Sequence, residues 1–166
     1  FFDNYGVKQG LSEQKVYTIL QDSRDYIWLG TANGLSRFDG RHFENFSSRN
    51  GLAPGGVRSI AEDSKGNLWL GHLNGGITFF SGGVFRQAAF DSITITGDVT
   101  SITVIGDTCI WFTSITDGAV YVHLPLTDVQ HIRATKFSGR DGLSDQVSGS
   151  TVNRKGEYIC IADVGM

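Results

Sequence analysis

Proline, cysteine and methionine are scarce in this 166-residue sequence, with 2 Pro, 2 Cys and 1 Met. Cys109 and Cys160 are too few for a disulfide framework, so a cross-linked small scaffold is excluded and both are expected as buried free thiols. No apolar run approaches the length that spans a bilayer. Phe1-Phe2-Asp3-Asn4 also lacks the basic start of a signal peptide. An excess of positive charge is missing too. The formal net charge of -3 argues against nucleic acid or an anionic membrane surface as a partner. There is no Cys/His metal spacing, no paired-carboxylate motif and no glycine-rich phosphate loop behind a strand. Neither a metal nor a cofactor is expected.

What the sequence has in quantity is turn residues and aromatics: 22 Gly, 11 Phe, 5 Tyr and 3 Trp. No window holds a sustained 3.6-residue apolar pattern. Instead one stretch recurs. Residues Val57 to Gly71 (VRSIAEDSKGNLWLG) read as two short strands joined by the turn Asp63-Ser64-Lys65-Gly66. Val16 to Gly30, Val99 to Thr113 and Val147 to Ile161 are further copies. The starting valines are spaced by 41, 42 and 48 residues, and Trp28, Trp69 and Trp111 by 41 and 42. Such a period is the mark of a repeat architecture.

Each period is filled by four strands in a meander. In the first unit these are Val16 to Asp22, Tyr26 to Gly30, Gly34 to Phe38 and His42 to Phe46, joined by short polar turns such as Asp39-Gly40-Arg41. The expected units are 10–50, 51–93, 94–141 and an incomplete one at 142–166. In the third unit the final strand is expected from Gln130 to Phe137. Residues 1–9 align Phe2 with Phe43 and Tyr5 with Phe46, so they read as the outer strand of a split unit. Sheets such as Ile27-Trp28-Leu29, apolar on both faces, need a neighbour on each side. Radial stacking supplies that. The fold expected is all-β: a β-propeller fragment of about three and a half four-stranded antiparallel blades, its three tryptophans packed between blades. A sugar-stacking platform is the lesser alternative for the indoles.

Gly10 to Gly40, with its Gly-Leu-Ser, Ile-Trp-Leu-Gly-Thr and Arg-Phe-Asp-Gly segments, resembles the two-component regulator propeller repeat. The copy from Gly51 is similar, with His72 in place of the usual Thr and Phe79-Phe80-Ser81-Gly82 as its ending. The third copy keeps the Trp segment and Asp117-Gly118, and the fourth has Ile159 in place of Trp. The resemblance implies a periplasmic ligand sensor, often of oligosaccharides, from an inner-membrane hybrid two-component histidine kinase whose kinase parts are not in this sequence. Lys65-Gly66-Asn67-Leu68-Trp69 also looks like a repeat of streptogramin-type lyases, which makes a propeller enzyme the second reading. A structural protein-interaction propeller is the third.

For a lyase the general base would be a histidine. Of His42, His72, His123 and His131, only His72 falls between second and third strands, and its ordinary reading there is a solvated loop residue. No catalytic constellation is expected. A binding site is expected on the face formed by fourth-to-first and second-to-third connections. That face holds Lys15, Asn33, Arg49, Arg58, His72, Asn74, Ser114, Asp117 and Asp145. Asn33, Arg58, His72, Asn74 and Asp117 are the candidate ligand contacts, because amides and guanidinium groups meet sugar hydroxyls at fixed angles. Asn33, Asn74 and Asp117 also precede Gly, where turn geometry alone favours them. The arc leaves open sheet faces. Two chains closing one ring, or the remaining blades of a longer parent, are the expected partners, with Phe1 to Tyr5 completing the Val147 to Ala162 sheet.

Overall fold

The computed structural model describes residues 3–124, 128–143, 147–152 and 157–162. Short turns fold each repeat back on itself. The first blade is β1 (Val16–Gln21), β2 (Ile27–Thr31), β3 (Gly34–Phe38) and β4 (Phe43–Phe46). The second is β5 (Val57–Glu62), β6 (Leu68–His72), β7 (Ile77–Ser81) and β8 (Val84–Gln87). The third is β9 (Val99–Ile105), β10 (Cys109–Ser114), β11 (Gly118–His123) and β12 (Ala134–Phe137). All three pair antiparallel in chain order, and β13 (Val147–Val152) pairs with β14 (Tyr158–Ala162) in a two-stranded sheet. Among the described residues, helical turns are confined to the 3-10 segments Val7–Gln9, Ser48–Asn50 and Gly139–Asp141.

The innermost strands of successive blades, β1, β5, β9 and β13, lie next to one another, and the fourth strands lie outermost. This is the radial stacking of a propeller. Between the first two blades Trp28, Leu35, Val57, Leu68, Leu70, Phe80 and Phe85 form one buried core. Trp69, Ile77, Val99, Ile110, Phe112, Val120 and Ile132 form the next. The Trp28 ring lies 5.4 Å from Phe80 of the following blade, and Trp69 lies 6.0 Å from Phe112. Each of these indoles is 1% exposed. Trp111 is half-buried against Tyr121 and Phe137 of its own blade. The inter-blade expectation therefore holds for Trp28 and Trp69.

Two aspartates fix the turns that present the indoles. Asp22 accepts backbone hydrogen bonds from Arg24 and Tyr26 through Oδ1, and Trp28 Nε1 donates to its Oδ2 at 2.7 Å. Asp63 repeats this with Lys65, Asn67 and, at 3.4 Å, Trp69. Glycine follows two residues after the indole because the next blade arrives there. A Cβ on Gly30 would stand 2.6 Å from the Val57 carbonyl oxygen, and one on Gly71 would stand 2.5 Å from Val99 Cγ1. The third blade has Thr113 at this place, and its hydroxyl meets that of Thr100.

Some boundaries differ from expectation. In residues 1–9, Phe1 and Phe2 lie outside the described residues, and Val7–Gln9 form a 3-10 turn rather than strand. Asp3 to Gly6 pair with no strand among the described residues. The final strand of the third blade begins at Ala134, not Gln130, because Asp128 caps the preceding turn through the Gln130 N–H and His131 Nδ1. Cys109 is buried and free, and the Cys160 side chain lies outside those described.

Candidate functional site

Antiparallel pairing brings the start of each first strand beside the end of its second strand: Val16 opposite Thr31, Val57 opposite His72, Val99 opposite Ser114. Immediately after that pair every first strand carries a register shift, leaving Tyr17, Arg58, Thr100 and Ser148 as extra residues. A bulge bends the strand and re-aims one side chain. Here the bulges recur at one level around the axis, on the face where the second-to-third connections emerge. The sequence shows the four residues, but nothing in their type marks a bulge.

The side chains gathered at this level are aromatic and charged. Arg58 Cζ lies 5.5 Å from the centre of the Tyr17 ring, and Lys15 Nζ lies 5.0 Å from the same ring. Arg58 Nε is 3.9 Å from Asp98 Oδ2, an ionic contact too long for a hydrogen bond. Asp98 instead accepts the Asn74 N–H at 2.9 Å. Asn74 adopts a left-handed backbone (φ 62°), which aims its N–H at that carboxylate. The side chains of Asn33 and Asn74 are exposed, and Asn33 borders a small surface pocket with Ala32, Ser47, Ser48 and Gly55.

The five expected contacts therefore separate. Arg58 and Asn74 meet at Asp98, and Asn33 stands on the rim. His72 is the last residue of β6 and is wholly enclosed, not the solvated loop residue its position implied. Its Nε2 meets Thr78 Oγ1 at 2.8 Å, and its Nδ1 has no hydrogen-bond partner. Burial pushes its pKa down to about 4, although the backbone of Gly55 and Gly56 acts the other way. It is a neutral core residue.

Asp117 is likewise 5% exposed and internally committed. Oδ2 accepts from the Thr96 and Gly97 N–H groups and the Ser114 and Thr116 hydroxyls, and Lys136 donates to Oδ1 at 2.8 Å. Burial raises this carboxyl. The Lys136 hydrogen bond, the two backbone donors and the Lys136 charge outweigh that and hold it far below the usual carboxylate range. Asp145 lies outside the described residues. The sequence missed Tyr17 and Asp98. Their signal was indirect: Tyr17 directly follows the valine that opens each copy, as Arg58 does in the second.

Among the described residues no group of three or more His, Cys, Asp or Glu side chains could hold a metal ion. No helix among them is long and apolar enough to cross a membrane.

Residues 10–33 and 51–74 match the two component regulator propeller family. These segments are two component regulator propeller repeats. The propeller they build is similar to the extracellular domain of a hybrid two component system from B. thetaiotaomicron, with 22% identity and a TM-score of 0.80 over 95% of this chain and 23% of that one. It is also similar to a second such domain from that organism (20% identity, TM-score 0.71, 95% of this chain and 22% of that one). The virginiamycin B lyase of Staphylococcus aureus shares the fold at 17% identity and a TM-score of 0.69, over 94% of this chain and 52% of the lyase. No curated protein matches the chain. This chain spans less than a quarter of the length of those extracellular domains.

Proposed function

We propose that this propeller segment is the ligand-sensing part of an extracytoplasmic, periplasmic receptor domain in a two-component signalling protein, and that its ligand is an oligosaccharide. The observation that carries the reading is the row of bulges in the inner strands, at which Tyr17 and Arg58 stand together beside the second-to-third connections. A tyrosine ring offers a stacking face for a pyranose, and guanidinium and amide groups bind its hydroxyls. Asn33, Arg58 and Asn74 are then direct ligand contacts, while His72 and Asp117 shape the floor and rim from inside. In the parent protein a membrane span and a histidine kinase convert occupancy into a signal.

A lyase of the kind that shares this fold is the second reading. It requires a histidine able to reach substrate. His72 is the residue the sequence offered, and its enclosure favours binding over catalysis.

Calorimetric titration of the chain with neutral and acidic tetrasaccharides tests the reading. Saturable heat that disappears in Tyr17→Ala supports it. No heat from any saccharide, together with capture of a protein partner, supports an interaction propeller instead.

A further inference from the structure

Two cations reach one ring at the axial mouth. Lys15 belongs to the connection entering the first blade and Arg58 to the second blade's inner strand, yet both lie over Tyr17, at 5.0 and 5.5 Å. Two positive charges so placed repel each other unless an anion stands with them. The protein supplies one carboxylate, Asp98, and spends it incompletely. Its Oδ1 takes the Asn74 N–H at 2.9 Å, while its Oδ2 stays 3.9 Å from Arg58.

Among the described residues the Arg58 guanidinium donates no hydrogen bond, and its Nε is buried without a partner. A guanidinium carries five N–H donors in a planar fork, shaped for a two-pronged anion. Arg37, which also lies over aromatic rings, spends an N–H on the Glu44 carboxylate of the neighbouring outer strand. Arg58 lies over the Tyr17 ring without such a hydrogen bond, and its side chain is 38% exposed. It is positioned and unspent.

We infer that the ligand read at this mouth is an acidic saccharide, its carboxylate or sulfate ester bound between Lys15 and Arg58 while a sugar ring stacks on Tyr17. This rests on the sensor reading and narrows it. Carboxylate and sulfate share the chemistry that the fork recognises: two or three coplanar acceptors and a negative charge.

The test is calorimetric titration of the 166-residue chain with paired tetrasaccharides. The probes are uronic-acid tetramers with their carboxyl-reduced forms, and sulfated galactan tetramers with their desulfated forms. The expected result is that one acidic class binds about tenfold or more tighter than its neutral twin. Rising salt weakens that binding. Lys15→Gln and Arg58→Gln each abolish most of the preference for the acidic form, whereas Tyr17→Ala weakens acidic and neutral forms alike. Lys15 is exposed, so the unchanged melting temperature of Lys15→Gln separates lost recognition from lost fold. Neutral twins binding as tightly as acidic ones overturn the charge assignment and leave the sensor reading standing. No binding by any member overturns both. Which acidic class binds distinguishes carboxylate from sulfate.

Discussion

Trp28 and Asp22 are joined by a 2.7 Å hydrogen bond across the turn that separates their strands. The same carboxylate closes the turn through two backbone N–H groups, so one buried side chain sets both the hairpin and the indole that seals two blades. Removing it strands a buried indole N–H and two turn donors. Asp22→Ala is expected to cost about 2–4 kcal/mol, the usual penalty for orphaning buried polar groups. Asp22→Asn, which keeps an acceptor, costs less. Denaturant unfolding followed by tryptophan fluorescence measures both, and an Asp22→Ala protein as stable as the parent contradicts the role.

Gly71 is set by the arrival of the third blade. A methyl group there would press on Val99 Cγ1 at 2.5 Å and on Ser59 Oγ, which donates to the Val99 carbonyl. Gly71→Ala is expected to destabilise by about 1–3 kcal/mol through overpacking. Gly82 has nothing within 4 Å of its would-be Cβ, so Gly82→Asn there, at a left-handed φ of 58°, changes stability little. Thermal unfolding of the two variants side by side checks the contrast.

His72 gives the protein an acid-sensitive core. Its pKa falls from 6.5 to about 4 on folding, so the unfolded chain binds a proton more readily than the folded one. The stability it confers is complete above pH 6.5 and drains away as pH falls toward 4, by an amount on the order of 3 kcal/mol. His131 works in the opposite sense. The Asp128 hydrogen bond raises its pKa, so its contribution is present below pH 6.5 and fades as pH rises through the folded value. Unfolding free energy measured from pH 7 to pH 4 is expected to drop in the parent and to drop less in His72→Thr, which restores the residue the first blade carries at this place. Parallel pH profiles contradict the assignment.

The first blade has an open face. Leu11, Val16, Ile19 and Leu29 line a groove of about 600 Å³ with the Asn4–Gln9 segment, and Ile19 is 65% exposed. The equivalent residues of the second blade, Leu52, Val57, Ile60 and Leu70, lie under the first blade, three of them completely. Tyr5 packs on Phe38 and Phe43 as Phe46 packs on Phe85 one blade later. Another blade is expected to seat here. If a second copy provides it, the 18.1 kDa chain sediments at twice that mass at micromolar concentration and Ile19→Asp returns it to a monomer. A monomeric parent chain contradicts closure by two copies.

The fold was legible because it rests on patterns the sequence repeats. The spacing of Trp28, Trp69 and Trp111, together with the Asp-Ser turns and the Gly two residues after the indole in the first two blades, encodes the hairpins and the blade contacts directly. The site was less legible. Asn33, Arg58 and Asn74 lie on the face that the strand order assigned them. His72 is enclosed rather than solvated, because the Gly55–Gly56 segment entering its blade and Thr78 of β7 close around it, a packing that its place after a strand does not announce. Asp117 looked like a turn residue and proved to be one, tied by backbone N–H groups that carry no side-chain signature. The bulges at Tyr17 and Arg58 arise from ladder register, which single residues do not announce.

Hydrogen exchange of the chain, free and saturated with the best-binding saccharide, tests the central claim most directly. Protection concentrated at Lys15 to Thr18, Val57 to Ser59, Leu73 to Gly76 and Asp98 to Thr100, with the turns at Asp22 and Asp63 on the far face unchanged, is the predicted result. Protection confined to those far turns, or no change anywhere at saturation, contradicts a sensor site at the axial mouth.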